Sequence, residues 1–213
     1  MKVIILAGGK GTRLAEYTSK VPKPMVKINK KPIITYIIDH YIKYGATEVL
    51  IAAGYKYHLL KNYFSFNKKK YPNVKVLDTG LNSLTAKRIL KLKKNFKKGE
   101  DFFMTYGDGV ADLDLSNLLK HHKKKKKICT LTAVRPIARF GELQIKGDTV
   151  HSFNEKPQLK QGWINGGFFV LNYKIFRFLD NKNQMFEREP MQKLLKKKNV
   201  NAFKHNGFWM CMD

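Results

Sequence analysis

Carboxylates are scarce in this chain: 16 Asp and Glu stand against 42 Lys and Arg, which leaves a formal net charge of +26 at neutral pH. The excess is nearly all lysine, spread along the whole sequence among many Ile and Asn and not gathered as arginine on one element. Such a surface attracts polyanions, and the lysine run at residues 123–127 is the strongest local candidate for a nucleic-acid contact. The same spread is what an AT-rich coding sequence produces at exposed positions, so nucleic acid is the rival partner and not the expected one. Cysteine is also rare. Cys129 and Cys211 stand far apart with no Cys-x-x-Cys or Cys-His pattern, which speaks against a disulfide framework or zinc site and for two buried thiols. No apolar run approaches the roughly 20 residues of a spanning helix, and no membrane partner is expected. The apolar start at residues 3–7 is too short for a signal-peptide core, so a cytoplasmic location is expected. No Ser-His-Asp order, metalloprotease pattern, internal repeat or flexible linker is present, and the six histidines form no catalytic arrangement.

What is there is concentrated first in residues 1–25, MKVIILAGGKGTRLAEYTSKVPKPM. Residues 3–7 are apolar and mostly β-branched, which predicts a fully buried strand. Gly8, Gly9 and Gly11 follow, giving a loop whose backbone can come close to a ligand and offer N–H groups to an anion. Arg13 adds a cationic fork, and Pro22-Lys23-Pro24 holds a lysine on a stiff, non-helical segment. The set suits a polyphosphate. A dinucleotide fingerprint would need a third glycine where Leu14 stands, and a P-loop would need Gly-Lys-Ser/Thr where Gly11-Thr12-Arg13 stands.

Further along, strand patterns at residues 49–53, 74–77, 102–106 and 128–133 alternate with helical patterns at 33–42, 57–64, 84–92 and 115–122. This predicts one α/β domain, a Rossmann-like and mostly parallel sheet with helices on both faces, with ligands beyond the carboxyl ends of the strands. The glycine loop, Gly80 and Asp108 all fall at such ends. From about residue 136 the rhythm shortens, with strands expected at 140–145, 150–153 and 163–171 in a small antiparallel extension. Helical stretches are expected at 174–179 and 187–197, and final strands around 201–204 and 208–212. Asp108, between two glycines, could serve as a first ligand for Mg²⁺, which needs only one or two protein carboxylates beside substrate oxygens; it reads equally as a turn residue. Asp112 and Asp114 lack the spacing of a calcium loop, and Asp114 reads as a helix cap.

The pattern L-A-G-G-x-G-T-R-L followed by P-K-P-M resembles the N-terminal signature of the sugar-1-phosphate nucleotidyltransferases, of the nucleotide-diphospho-sugar transferase fold. Later segments extend the likeness over almost the whole chain: Asp78-Thr79-Gly80, Thr105-Tyr106-Gly107-Asp108-Gly109, Arg139-Phe140-Gly141, Asn154-Glu155-Lys156-Pro157, Ile164-Asn165-Gly166-Gly167, and Gly207-Phe208-Trp209 with Met212-Asp213. They narrow it towards members that join CTP and glucose 1-phosphate with Mg²⁺ for the deoxysugars of surface polysaccharide. Uridylyl, thymidylyl or guanylyl transfer, or a non-catalytic nucleotide-sugar-binding relative, are the alternatives. The resemblance implies that Arg13 and Lys23 are catalytic and that Leu6, Ala7, Gly8, Gly9, Gly11, Thr12, Thr79, Gly80 and Arg88 bind the nucleotide, Arg88 near the pyrimidine edge. It implies that Tyr106, Gly107, Glu155, Lys156, Asn165 and Gly166 bind the sugar phosphate, that Asp108 and Asp213 hold the metal, and that the chain forms a homo-oligomer. On this view residues 1–135 are the nucleotide-binding part and 136–213 the sugar-binding part, with the C-terminus expected to be truncated. The chain departs from the pattern at Ala86-Lys87-Arg88, where Gly-Gly-Arg is usual, in a shorter stretch between Tyr63 and Val74, and in ending at Asp213.

Overall fold

The computed structural model describes residues 1–11, 15–137, 142–155 and 162–212. Its centre follows from the two-residue period of β1 (Lys2–Ala7). Val3, Ile5 and Ala7 point into one buried cluster, and Ile4 and Leu6 into another on the opposite face. A strand buried on both faces needs cover on both. The chain supplies it by α1 (Ala15–Thr18), β2 (Lys27–Ile28), β3 (Lys31–Pro32), α2 (Ile33–Lys43), β4 (Glu48–Ala53), α3 (Tyr57–Phe66), β5 (Val74–Asp78) and α4 (Thr85–Lys91). Then follow β6 (Asp101–Tyr106), β7 (Gly109–Ala111), α5 (Leu115–Lys125), β8 (Cys129–Val134), β9 (Glu142–Lys146), β10 (Thr149–Asn154), β11 (Ile164–Asn172), α6 (Glu189–Lys196), β12 (Val200–His205) and β13 (Trp209–Cys211).

One sheet of seven strands, ordered β12-β8-β11-β6-β1-β4-β5, carries the fold. β1 pairs in parallel with β4 and β6, β4 with β5, and β12 with β8. β11 runs antiparallel to both its neighbours, β6 and β8. On one face Ile34, Ile37, Ile38 and Tyr41 of α2, Leu60 and Phe64 of α3 and Leu115 and Leu118 of α5 pack on the sheet. On the other, Ala86 and Ile89 of α4 and Met191 and Leu194 of α6 do so, with Phe176 and Phe186 from the connecting segments. Each fully buried aliphatic contributes about 1.5–3 kcal/mol, and Val3, Ile4, Ile5, Ile34, Ile38 and Leu50 have no exposed surface.

Three elements differ from the sequence pattern. Residues 163–171 do not belong to a separate extension: β11 lies inside the main sheet, because its buried run Phe168–Leu171 has core on both sides. The small antiparallel additions are the hairpin β9–β10 and the pair β7–β13. Residues 173–177 form a 3-10 turn and not an α-helix, fixed at its start by Asn172, whose side chain accepts from the Lys174 amide at 3.0 Å. Lys123, Lys124 and Lys125 extend α5 by a turn beyond the apolar pattern, where cations face the negative end of the helix dipole. Asp114 caps α5 as expected, accepting from the Asn117 amide at 2.9 Å. Among the histidines, His122 is buried, with Nδ1 2.8 Å from Thr130 Oγ1 and Nε2 3.5 Å from Asp101 Oδ1.

Candidate active site

The parallel strands β1, β4, β5 and β6 end at one edge of the sheet, and antiparallel β11 begins there. A cleft of about 570 Å³ opens at this edge. Its walls include the backbone of residues 6–9, Lys23, Gly107 and Asp108 after β6, Asn165 and Gly166 at the start of β11, and Trp209 and Cys211 of β13. Main-chain bonds lock the parts together: the Gly107 amide donates to Leu6 O at 3.0 Å, and the Met212 amide to Asp108 O at 2.8 Å. Trp209 Nε1 donates to Gly166 O at 2.7 Å, tying β13 to β11.

Beneath the glycine loop lies Arg88, only 3% exposed. Its Nη1 donates to Ala53 O at 2.9 Å and Thr79 Oγ1 at 2.6 Å, and its Nη2 to Gly8 O at 2.9 Å and Leu81 O at 3.3 Å. One guanidinium thus joins the ends of β1, β4 and β5. The fit needs glycine above it, because a Cβ on Gly8 would lie 2.1 Å from Arg88 Cζ. Burial lowers the Arg88 pKa from its usual value, opposed by the charge of Asp78. A cation so placed sets a positive field under backbone that faces the cleft.

Lys23 opens a short 3-10 turn (Lys23–Met25) whose Pro24 is buried. Pro24 presses on Gly107, where a Cβ would meet Pro24 Cγ at 2.9 Å. That contact brings Lys23 Nζ to 2.8 Å from Asp108 Oδ2, in a partly buried ion pair. A hard carboxylate and a cation therefore share one wall of the cleft. Also lining the cleft, Tyr106 donates its hydroxyl to Glu187 Oε1, and Thr85 Oγ1 donates to Glu187 Oε2 at 2.8 Å. Burial raises the Tyr106 pKa, and the Glu187 charge and hydrogen bond raise it further, so the phenol stays protonated.

A family model described as nucleotidyl transferase matches residues 2–211. The chain belongs to the nucleotidyl transferase family. Within it the likeness is to sugar-1-phosphate enzymes. The glucose-1-phosphate cytidylyltransferase of Salmonella typhimurium is 42% identical over 234 aligned positions, covering 100% of this chain and 91% of the relative. The D-glycero-alpha-D-manno-heptose 1-phosphate guanylyltransferase of Campylobacter jejuni is 35% identical, covering 95% and 90%. Among solved structures, HddC from Yersinia pseudotuberculosis superposes with a TM-score of 0.75 at 25% identity, covering 99% of this chain and 92% of that one. UDP-glucose pyrophosphorylase from Acinetobacter baumanii, at 18% identity and a TM-score of 0.73, covering 99% and 87%, shares the fold.

In this nucleotidyl transferase, Leu6, Ala7, Gly8, Gly9, Gly11, Lys23, Arg88, Tyr106, Gly107, Asp108, Asn165 and Gly166 all line the cleft. Thr79 is buried behind it against Arg88, with Gly80 beside it in a left-handed turn at φ +91°. The Arg88 donors are taken up by protein acceptors around Gly8 and Thr79. Glu155 stands exposed at the end of β10 and is not part of the cleft lining. Thr12, Arg13, Lys156 and Asp213 lie outside the described residues, as does the Arg139-Phe140-Gly141 segment. Met212, the neighbour of Asp213, reaches the cleft. Sequence reasoning missed Glu187, and quoted Trp209 in the Gly207-Phe208-Trp209 segment without giving it a role: an acid just ahead of α6 reads as a helix-start residue, and only the fold returns it to Tyr106. Among the described residues no group of three or more His, Cys, Asp or Glu could hold a metal by itself. Asp108 is the hard oxygen donor on the wall that also carries Lys23, and so fits an ion shared with substrate phosphates.

Proposed function

We propose that this nucleotidyl transferase joins CTP and α-D-glucose 1-phosphate, giving CDP-glucose and pyrophosphate. The observation that carries the reading is the meeting of Lys23 and Asp108 in the cleft beside the glycine loop, in a chain 42% identical to a glucose-1-phosphate cytidylyltransferase along its whole length. An oxygen of the sugar phosphate attacks the α-phosphorus, the bond from that phosphorus to the bridging oxygen breaks, and pyrophosphate leaves with the oxygen. The protein's task is alignment and charge neutralisation.

Residues 1–135 supply the nucleotide side and residues 136–213 the sugar side. The backbone of residues 6–9, shaped from below by Arg88 and Thr79, receives the base. Lys23 leaves Asp108 and turns to the phosphates, while Arg13 holds the departing ones by its fork. Mg²⁺ would be held by Asp108, with Asp213 as second ligand, and would neutralise phosphate charge. Asn165 and Gly166 orient the sugar, with Glu155 and Lys156 as further contacts. Tyr106 and Glu187 keep their part of the cleft lining in place. CTP and glucose 1-phosphate are the partners, in a homo-oligomer in the cytoplasm.

Guanylyl transfer is the second reading, favoured by the 35% identity to a heptose 1-phosphate guanylyltransferase. The test is pyrophosphate release with Mg²⁺, offering CTP, UTP, dTTP, ATP and GTP in turn against glucose 1-phosphate, and then against heptose and mannose 1-phosphates. Release with CTP alone is expected. Release with GTP on a heptose or mannose phosphate would replace the cytosine assignment, and no release with any pair would overturn the reaction.

A further inference from the structure

The edge of the sheet away from the cleft carries an unusual charge pattern. There α2, α3, α5 and α6 end, β4, β5, β6, β8 and β12 begin, and β11 ends. Hydrogen bonds join neighbouring loops along it: Val49 N to Asn73 O at 3.0 Å, Tyr173 N to Glu100 O at 2.8 Å and Cys129 N to Asn199 O at 3.0 Å. Residues 68–70, 93–94, 97–98, 123–126 and 196–198 on this edge are all lysine and all exposed. Helix dipoles favour a cation at each terminus but do not call for runs of three or four. The carboxylates near these runs are engaged: Asp39, though exposed, with Tyr71, Glu48 and Glu100 with Lys2, Asp101 with His122 and Asn172, Asp180 with Lys193. A hollow of about 340 Å³ with Lys93, Lys98, Lys174 and Arg177 in its wall opens in the same region.

Apolar side chains project among these lysines. Phe66, at the end of α3 and two residues before the 68–70 run, is 91% exposed. Leu195, directly before the 196–198 run, is 48% exposed, and Ile42, beside Lys43, is 42% exposed. Seven strands about 4.8 Å apart make an edge roughly 30 Å long. Lysines around isolated apolar tips match the headgroup and acyl boundary of a charged bilayer. Nucleic acid would instead favour Arg forks and several aromatic faces; the runs here are lysine, and of the three tips Phe66 alone offers a base a face to stack on, Leu195 and Ile42 none.

We infer that this edge docks on an anionic lipid bilayer, leaving the cleft on the opposite edge open to solvent. It is adsorption and not insertion, as no helix among the described residues is long and apolar enough to cross a membrane. The test is co-sedimentation of the full chain with vesicles of phosphatidylcholine alone or with about one-third phosphatidylglycerol. Pelleting with the anionic vesicles only, and release at about 0.5 M salt, are expected. Lys68→Gln/Lys69→Gln/Lys70→Gln should lower partitioning by about a hundredfold, and Phe66→Ser by about tenfold. Both variants should keep pyrophosphate release unchanged. The inference is overturned by absence of pelleting with anionic vesicles, or by pelleting that neither variant weakens. Capture of duplex DNA without vesicle binding would overturn it and give the face to nucleic acid.

Discussion

Replacing Arg88 by methionine tests whether one buried guanidinium holds the roof of the cleft. The side chain makes three buried hydrogen bonds, to Ala53 O, Thr79 Oγ1 and Gly8 O, and a more exposed one to Leu81 O. A bond to a charged donor contributes about 1.5–3 kcal/mol net, so three would suggest well over 4 kcal/mol. Two effects reduce that. Ala53 O keeps the Thr79 amide and hydroxyl as donors, and Gly8 O keeps the Tyr55 amide, so neither carbonyl is orphaned. Methionine also escapes the desolvation that lowers the Arg88 pKa. The expected loss is about 2–4 kcal/mol. In a chain of this size that is a fall in Tm of roughly 5–15 °C. Urea unfolding followed by circular dichroism reads it, and Arg88→Lys, with one point donor for a fork, should recover less than half. A loss below about 1 kcal/mol, with CTP affinity nonetheless reduced, would refute the structural role and place the guanidinium at the ligand.

Lys23→Ala should lower kcat by about a hundredfold or more while leaving the urea midpoint nearly unchanged; steady-state pyrophosphate release decides, and an unchanged kcat removes Lys23 from the reaction. Native protein treated with a thiol reagent should react at Cys211, which lines the cleft, and not at Cys129, which is buried and has its pKa pushed up to about 12. CTP should slow the labelling, as peptide mapping by mass spectrometry would show. Burial pushes the Asp101 carboxyl up, but the hydrogen bonds from His122 and Asn172 and the charges of His122 and Lys123 outweigh it and hold the pKa below its usual value. A depressed carboxylate stabilises the fold above its unfolded pKa near 4 and loses that contribution as pH falls through the folded one. Asp101→Asn should therefore be less stable than the parent at pH 7, the difference closing in acid; urea midpoints across that range test it, and a constant difference would refute it.

Much of the N-terminal half is legible in the sequence because its signals are local. Strand β1 and Gly8-Gly9 are adjacent in the chain, and the apolar period of α2 spans only residues 33–41. The capping role of Asp114 is equally short-range. What the pattern does not carry is pairing between distant segments. The run Phe168–Leu171 marks a buried strand, but nothing in it says that the strand enters antiparallel between β6 and β8. Glu187 meets Tyr106 across 81 positions of sequence, and both ends look ordinary in isolation. Arg88 is similar: as a basic residue in a lysine-rich helix it reads as solvated or ligand-facing, whereas α4 places it under Gly8, 80 positions earlier. The even spread of lysine along the chain also conceals where the fold collects it, because helix ends that share one edge are separated by dozens of residues.

The antiparallel strand inside the parallel sheet also matters while the chain is being made. β6 and β8 never pair with each other; each waits for β11, which is completed at Asn172. A ribosome-bound chain that has emerged only through β8 therefore presents the edge of β6 along Phe102, Phe103 and Met104 unpaired, and β8 with neither of its partners, β11 and β12, yet made. Open apolar edges template pairing with other chains, and larger domains aggregate through such partly built states. The same strand that gives the cleft Asn165 and Gly166 is thus the piece that joins β6 to β8, so the inner edge of β6 stays open to aggregation until residues 164–172 have been synthesised.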